Sequence, residues 1–474
     1  MDLKPQNFRI TIEKVSFGCG SPLDEISLEG VKCLRHLAGR RTVWQVLHEG
    51  STMLLKLFYK HPKQLRDVGR EWDNASRLYD EGVQIPKPLF TGRSSDGVSV
   101  VAFEFIDNGR VLGEALAGAD VSVQQNSLSQ LLAMHAQLHS LGCYQSDNHL
   151  GNYLWNDNDL YMLDAASCVF KSASLSIGER IKNMAMLEAN IPLPLGGLYS
   201  EAFPQYLKHC QGKVDPAVFS SRYTGAFTKA VRKRLEDYRR KTKRSSSELE
   251  RVKLPGKTWH ACRNMDAGLK QKLLDDPDQF FMADELLKDG NTCSVSDFKH
   301  DDREYVIKRY NRKSLVYRLL HMLMPVRALT SWTGGHVLRL FGVATPKPVA
   351  CLICKSGLLT SRAYLVMEKV FGRELNSIEK PALLDVQIGL PEKFAQIWLE
   401  LDTLRVTHGD MKASNLILGS DNQLILIDLD GIGFHRLRWT YNKSKKKDLL
   451  RFLRNWADDP EIQAAFKKTL SEFS

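Results

Sequence analysis

Two stretches of the chain carry an Asp, an Asn five residues later, and a second Asp closing a short apolar run. One reads His408-Gly409-Asp410-Met411-Lys412-Ala413-Ser414-Asn415 and ends on Ile427-Asp428-Leu429-Asp430. The other reads Gln145-Ser146-Asp147-Asn148-His149-Leu150-Gly151-Asn152 and ends on Leu163-Asp164-Ala165. The chemistry such a set supports is phosphoryl transfer, which needs little covalent help from a protein. It needs a carboxylate to orient and deprotonate an attacking hydroxyl, oxygen ligands for Mg2+, and a cation on the phosphates of ATP. Asp410 and Asp147 are the candidate bases, and Asn415, Asp428, Asn152 and Asp164 the candidate metal ligands. Lys308, in Tyr305-Val306-Ile307-Lys308, and Lys56, in Met53-Leu54-Leu55-Lys56, are the candidate cations. The same residue types also cap turns, but a chance pattern of caps would not recur in one order.

These groups need elements to hold them. A helix predicted over 389–405 precedes one Asp loop, and an apolar helix over 127–141 precedes the other. The second Asp of each set follows a hairpin whose turn is Gly419-Ser420-Asp421-Asn422 or Asn156-Asp157-Asn158-Asp159. The repeat continues upstream. Asp147 and Asp410 are 263 residues apart, as are Asn152 and Asn415; Asp164 and Asp428 are 264 apart, as are Glu104 and Glu368, which end an apolar strand in each half. Pro86 and Pro346 lie 260 apart, and Lys56 and Lys308 lie 252 apart. A drift this small over such a distance means duplicated domains rather than a solenoid. In the first half, Arg70–Leu78 has helical spacing, and Glu71 is placed to pair with Lys56. Aligning the halves on Pro346 puts Ser331 where the first has Glu71, so the partner of Lys308 is missing or comes from elsewhere.

A chain of 474 residues suits two domains rather than one core. Hydrophobic residues at 43% and charged ones at 26% are ordinary for a globular protein. No apolar run is long enough to span a bilayer, and the start, Met1-Asp2-Leu3-Lys4, lacks the order of a signal peptide. Nine scattered cysteines with a lone Cys351-x-x-Cys354 read as thiols of a reducing cytosol rather than as a zinc site. The net charge of +11 suits an anionic surface or an anionic substrate. Its basic residues cluster at 231–244, 311–313 and 443–447, next to Tyr238, Trp439 and Tyr441. Each run is also what a solvated helix face looks like.

The fold class expected is α+β, as two tandem protein-kinase-like folds, each with a small β-rich N-lobe and a helical C-lobe. The expected boundaries are a first domain over 1–244, a linker over 245–257 around Ser245-Ser246-Ser247, and a second domain over 258–474. Within the first, residues 175–244 are expected to be helical; within the second, Asp289-Gly290-Asn291-Thr292 is expected to turn between strands. The last amphipathic helix, around 447–456, is expected to be core.

The chain resembles the bacterial lipopolysaccharide kinase family of the InaA/WaaP/Kdo-kinase type. The residues that carry the resemblance are Pro346-Lys347-Pro348, Met367-Glu368, His408 to Asn415, Ile427 to Asp430, and Lys447-Asp448-Leu449. In the first half they are Pro86-Lys87-Pro88, Phe103-Glu104, Asp147 to Asn152, and Leu163-Asp164. The resemblance implies ATP-dependent phosphorylation of heptose or Kdo in the lipopolysaccharide inner core, or of a lipid-linked sugar. It implies a cytoplasmic protein, peripheral on the anionic face of the inner membrane, with no nucleic-acid partner. Lys56 and Lys308 would hold the phosphates, with Glu71, Glu104 and Glu368 on the nucleotide side, and Asn152, Asp164, Asn415 and Asp428 would hold Mg2+. Gln145 departs from the histidine usual two residues before the base, as Ser331 departs from the helix glutamate. Two other readings stand beside this one: a small-molecule or protein kinase of the same fold, and a chain in which one half is a pseudokinase scaffold.

Overall fold

The computed structural model describes residues 9–17, 23–37, 39–210, 214–281, 286–290, 293–311, 326–356 and 359–472. The basic residues Arg312 and Lys313, the turn residues Asn291 and Thr292, and residues 1–8 lie outside this set. Two compact units emerge, Met1–Ile191 with Leu195–Phe227, and Pro192–Pro194 with Thr228–Ser474.

Alternation builds the sheet of each unit. The strand Arg41–His48 buries Thr42, Trp44 and Val46 on one face, and Cys293–His300 buries Ser294, Ser296 and Phe298 with the same period of two. In the first unit six antiparallel strands close into a barrel, in the order Arg9–Phe17, Leu23–Leu37, Arg41–His48, Ser51–Phe58, Ser99–Glu104 and Pro88–Ser94. Closure leaves no free edge. Its interior is Ile26, Leu28, Trp44, Val46, Leu55, Leu57, Phe90, Val100 and Ala102. In the second unit seven antiparallel strands form one sheet, in the order Leu249–Leu254, Lys257–Cys262, Pro348–Ser356, Leu359–Glu368, Arg303–Asn311, Cys293–His300 and Leu286–Asp289.

Helices and short two- and three-stranded sheets make up the rest of each unit. The helix Gln64–Asp80 precedes Pro88–Ser94 in the first, as Arg327–Leu340 precedes Pro348–Ser356 in the second. The helices Val121–Ser140 and Leu390–Leu404 lead into the two Asp loops, close to where the sequence places them. Hairpins follow, Tyr153–Asn156 with Asp159–Met162 and Leu416–Gly419 with Leu424–Leu426. The helical stretch expected over 175–244 is three helices, Ile177–Glu188, Gly196–His209 and Pro216–Lys241. The last helices of the chain are core, as their apolar spacing indicates. Phe394 stacks on Phe452 with ring centroids 3.8 Å apart, and Phe466 and Trp456 close over them. Burying one such ring contributes about 2–3 kcal/mol.

Two boundaries differ from the sequence expectation. The stretch 245–257 carries Leu249–Leu254, the outer strand of the second sheet, paired residue for residue with Lys257–Cys262. It reads as a polar linker because an edge strand buries little: only Leu249 is buried along it. The division between units falls inside the helix Pro216–Lys241, whose residues from Thr228 onward belong to the second unit. There the basic run 231–244 is packed in part, with Lys233, Arg240, Lys243 and Arg244 exposed. Arg234 lies over the ring of Phe341 and Arg239 over that of Phe434, while Val231 and Leu235 are buried. Long arginine stems cover apolar surface in this way.

Candidate active site

The loop after each helix is pinned by the same backbone bonds. The side-chain amide of Asn415 donates to the carbonyl of Asp410 at 2.7 Å, and that of Asn152 to Asp147 at 2.6 Å. The Asn415 carbonyl accepts the N–H of Ile427 at 2.9 Å, and the Asn152 carbonyl that of Leu163 at 2.8 Å. So the asparagine ties the first Asp to the strand end that delivers the second. With its amide nitrogen committed, each asparagine keeps its oxygen as the available ligand atom. A carboxylate and an amide oxygen are the hard donors that Mg2+ prefers, so the residue set fits that ion in both units.

The lysines reach the same points by different routes. In the second unit Lys308 donates to Asp428 at 2.7 Å, across 120 residues of sequence, and sits 3.9 Å from Asp430. Asp428 has φ 60 and ψ 62, a left-handed conformation uncommon for a residue with a side chain. In the first unit Lys56 is bonded to Glu71, as the helical spacing of 70–78 indicates, and to the carbonyl of Leu163 at 2.9 Å, one residue before Asp164. The acid missing at Ser331 is found on the loop after the strand. Asp430 accepts from Ser331 Oγ at 2.8 Å and from the Tyr310 hydroxyl at 2.6 Å. The first unit has Ala166 at the matching place. Burial pulls the Lys308 ammonium down, but the charges of Asp430 and Asp428 outweigh it and hold the group above the ordinary lysine value.

The two candidate bases sit in unlike surroundings. Asp410 is held between Arg451 Nη1 at 2.6 Å and Lys412 Nζ at 2.8 Å, with 31% of its side chain exposed. Asp147 is 77% exposed and, among the described residues, its carboxylate is ion-paired with no lysine or arginine, lying 3.8 Å from His149. Behind Asp410, buried His408 donates from Nε2 to the Ile427 carbonyl at 2.8 Å and accepts the Asp410 N–H on Nδ1 at 3.3 Å. Burial lowers its pKa, which suits the neutral ring those two bonds require. Gln145, in the corresponding place, is not loose. It is fully buried, accepts from the Tyr153 hydroxyl at 2.6 Å, and its carbonyl accepts from Asn183 at 2.9 Å. Tyr153, Asn148 and His135 form the polar cluster behind it.

Asp448 and Arg451 are functional neighbours that spacing alone does not assign. Both come from the helix Arg438–Leu453, and the Asp448 carboxylate accepts the Gly409 N–H. The signal for Asp448 is its offset of 265 from Asn183, near the repeat period. Glu104 and Glu368 end their strands, each with its N–H on the carbonyl of Lys87 or Lys347 at 2.9 Å. Glu368 also pairs with Lys347 Nζ at 2.9 Å, and among the described residues neither glutamate is bonded to Lys56, Lys308 or the Asp–Asn–Asp sets. The tight group of ligand-type side chains, Asp266, His300 and Asp301, is elsewhere, and Asp266 is already used as a helix cap on Leu269.

Residues 31–173 and 279–471 match the model of a protein family described as the lipopolysaccharide kinase (Kdo/WaaP) family. The two matched segments contain every one of the candidate site residues. No curated protein matches the chain.

Proposed function

The chain belongs to the lipopolysaccharide kinase (Kdo/WaaP) family, and from that premise we propose that it holds two kinase-like folds in tandem and phosphorylates an inner-core sugar hydroxyl, on heptose or Kdo. As a member of a kinase family it is a phosphotransferase, and in this reading the phosphoryl donor is ATP. The observation that carries the reading is the meeting of Lys308 with Asp428 at 2.7 Å beside the Asp410–Asn415 loop.

In this reading Asp410 orients the acceptor hydroxyl and takes its proton. The acceptor oxygen forms the new bond to the γ-phosphorus as the bond to the β–γ bridging oxygen breaks and ADP leaves. A base so placed is worth about 10²–10⁴ in rate. Lys308 meets the phosphates as a point charge. Asn415 and Asp428 hold Mg2+, which supplies charge neutralisation on the phosphate oxygens. Arg451 and Lys412 keep the base carboxylate in place and leave cationic surface where a phosphorylated substrate arrives. Lys56, Glu71, Asp147, Asn152 and Asp164 are the same machinery in the first half, with the Glu104 and Glu368 strand ends on the nucleotide side. The exposure of Asp147 favours a second reading for that half, a support for the other rather than an equal catalyst.

No helix among the described residues is long and apolar enough to cross a membrane. We place the chain on the cytoplasmic surface of the inner membrane, through the helix Arg438–Leu453. Its outward residues include Arg438, Trp439, Lys443, Lys446, Lys447, Leu450, Arg451 and Arg454 just past its end, all exposed, while its one acid, Asp448, is buried. Cations beside exposed Trp and Leu suit anionic headgroups. The test is mass spectrometry of core oligosaccharide from cells carrying the wild-type chain or Asp147→Ala with Asp410→Ala. Loss of one phosphate in the double variant is expected, and an unchanged core rejects the proposal.

A further inference from the structure

We propose that Asp430 is a positioning residue that stands in for the helix glutamate of the first half, giving Lys308 a fixed counterion of its own. The inference rests on the reading of Lys308 as a phosphate ligand. It is carried by a comparison inside one molecule. In the first unit the acid comes from a helix, Glu71 on Gln64–Asp80, and the loop position holds Ala166. In the second the helix position holds Ser331, on Arg327–Leu340, and the loop position holds Asp430. Each site thus has one acid of this kind, from a helix in the first unit and from a loop in the second.

Asp430 is held as a fixed group. Ser331 Oγ donates to it at 2.8 Å and Tyr310, two residues beyond the lysine on the same strand, donates at 2.6 Å. The serine that replaces the glutamate therefore orients its substitute. Glu71 is likewise shared, between Lys56 and Arg41, the latter at 3.6 Å. Lys308 has two carboxylates near it, Asp428 at 2.7 Å and Asp430 at 3.9 Å. Asp428 is the one with a second duty as metal ligand. A separate acid keeps the lysine charged and aimed when Asp428 is engaged, since a buried cation left without a partner is costly.

The test uses the full chain with Lys56→Met, which silences the first lysine, and a fluorescent ATP analogue with Mg2+ as probe. Asp430→Asn keeps the bonds to Tyr310 and Ser331 but removes the charge. It is expected to weaken binding about tenfold or more, the worth of a charge-assisted bond. Asp430→Ala with Ser331→Glu rebuilds the first site's arrangement and is expected to restore binding to within about threefold, which a purely structural role for Asp430 does not allow. In a Lys308→Met background Asp430→Asn is expected to add nothing. Unchanged binding in Asp430→Asn, or no rescue by the relocated glutamate in a folded chain, overturns the proposal. Melting of Lys308→Met, Asp430→Asn and the double variant needs no nucleotide. Non-additive shifts support the counterion pair even if the Lys56→Met chain binds no ATP, an outcome that would sink the nucleotide reading instead. Additive shifts overturn the pair.

Discussion

Asp448 takes the backbone N–H of Gly409 between its two carboxylate oxygens, at 3.0 and 3.1 Å. The next residue is Asp410, so this bond sets where the candidate base stands. The matching residue of the first unit is Asn183, which donates to the Gln145 carbonyl instead. Asp448→Asn is expected to lower turnover by about tenfold to a hundredfold with little change in ATP affinity, because transfer depends on positioning. Steady-state kinetics with purified core acceptor decide it; a change confined to ATP KM rejects this role.

Gly409 has φ +82, and a Cβ there would stand 2.2 Å from the carbonyl oxygen of Gly431. Gly118 has φ +72 with nothing within 4 Å of its Cβ position. Gly409→Ala therefore meets both strain and backbone collision, whereas Gly118→Ala meets strain alone. The melting temperature should fall by several degrees for the first and by about 1 kcal/mol equivalent or less for the second. Equal shifts would mean that the two loops are not packed this closely.

Two buried glutamates should give the stability a pH signature. Burial pushes the carboxyl of Glu400 up to about 7, with a bond from Gln396 acting the other way, and burial does the same to Glu188. A folded pKa above the unfolded one binds protons in the folded state. The contribution is whole below pH 4.5 and is lost as pH rises through 7. Glu400→Gln should therefore stabilise the chain at pH 8 by on the order of 3 kcal/mol, seen as a higher melting temperature, and leave it nearly unchanged at pH 4.5. Thermal melts at the two pH values check this, and a gain at both would assign the effect to packing.

The halves should differ in output. Asp410→Ala is expected to remove most ATP turnover with core acceptor, and Asp147→Ala little. Asp410 is bracketed by Arg451 and Lys412, and its loop is tied to a buried carboxylate. Asp147 has His149 beside it, at 3.8 Å. The inequality rests on these contacts rather than on Gln145, which is buried and bonded. The opposite ranking in single-variant assays would reverse the assignment.

Vesicle flotation should show binding to anionic and not to neutral lipid, weakened by salt. Charge reversal at Lys446 and Lys447 should reduce it by roughly 1 kcal/mol for each lysine lost. Reversal at Lys233 and Arg240, exposed positions of the run 231–244 whose apolar neighbours Val231 and Leu235 are buried, should matter less. Binding that ignores these changes would leave the charge to substrate recognition.

Much of the site was readable because its spacing is local. The Asp-x4-Asn loop, the hairpin and the strand lysine each lie within a few residues of a recognisable element, and the two copies check one another. The pairing of Lys56 with Glu71 also followed from helical spacing. What escaped was set by contacts between distant segments. Ser331 announced that an acid was missing, but not that Asp430, 99 residues later, would supply it through Ser331 itself. Asp448 reaches back 39 residues to Gly409, and Arg451 reaches 41 to Asp410. The strand Leu249–Leu254 was hidden because a weakly buried edge leaves little periodicity, and spacing did not separate Arg234 and Arg239, whose stems cover rings, from the exposed Lys233 and Arg240.

The different sources of the lysine's acid also limit the order in which two once-identical halves could drift apart. A half that loses its old acid first must pass through a form whose buried lysine leans on the metal-site Asp alone, as Lys308 would on Asp428. A half that acquires the new acid first passes through a form with one negative charge too many, which a neighbouring cation such as Arg41 can absorb. Gain before loss is the passable route.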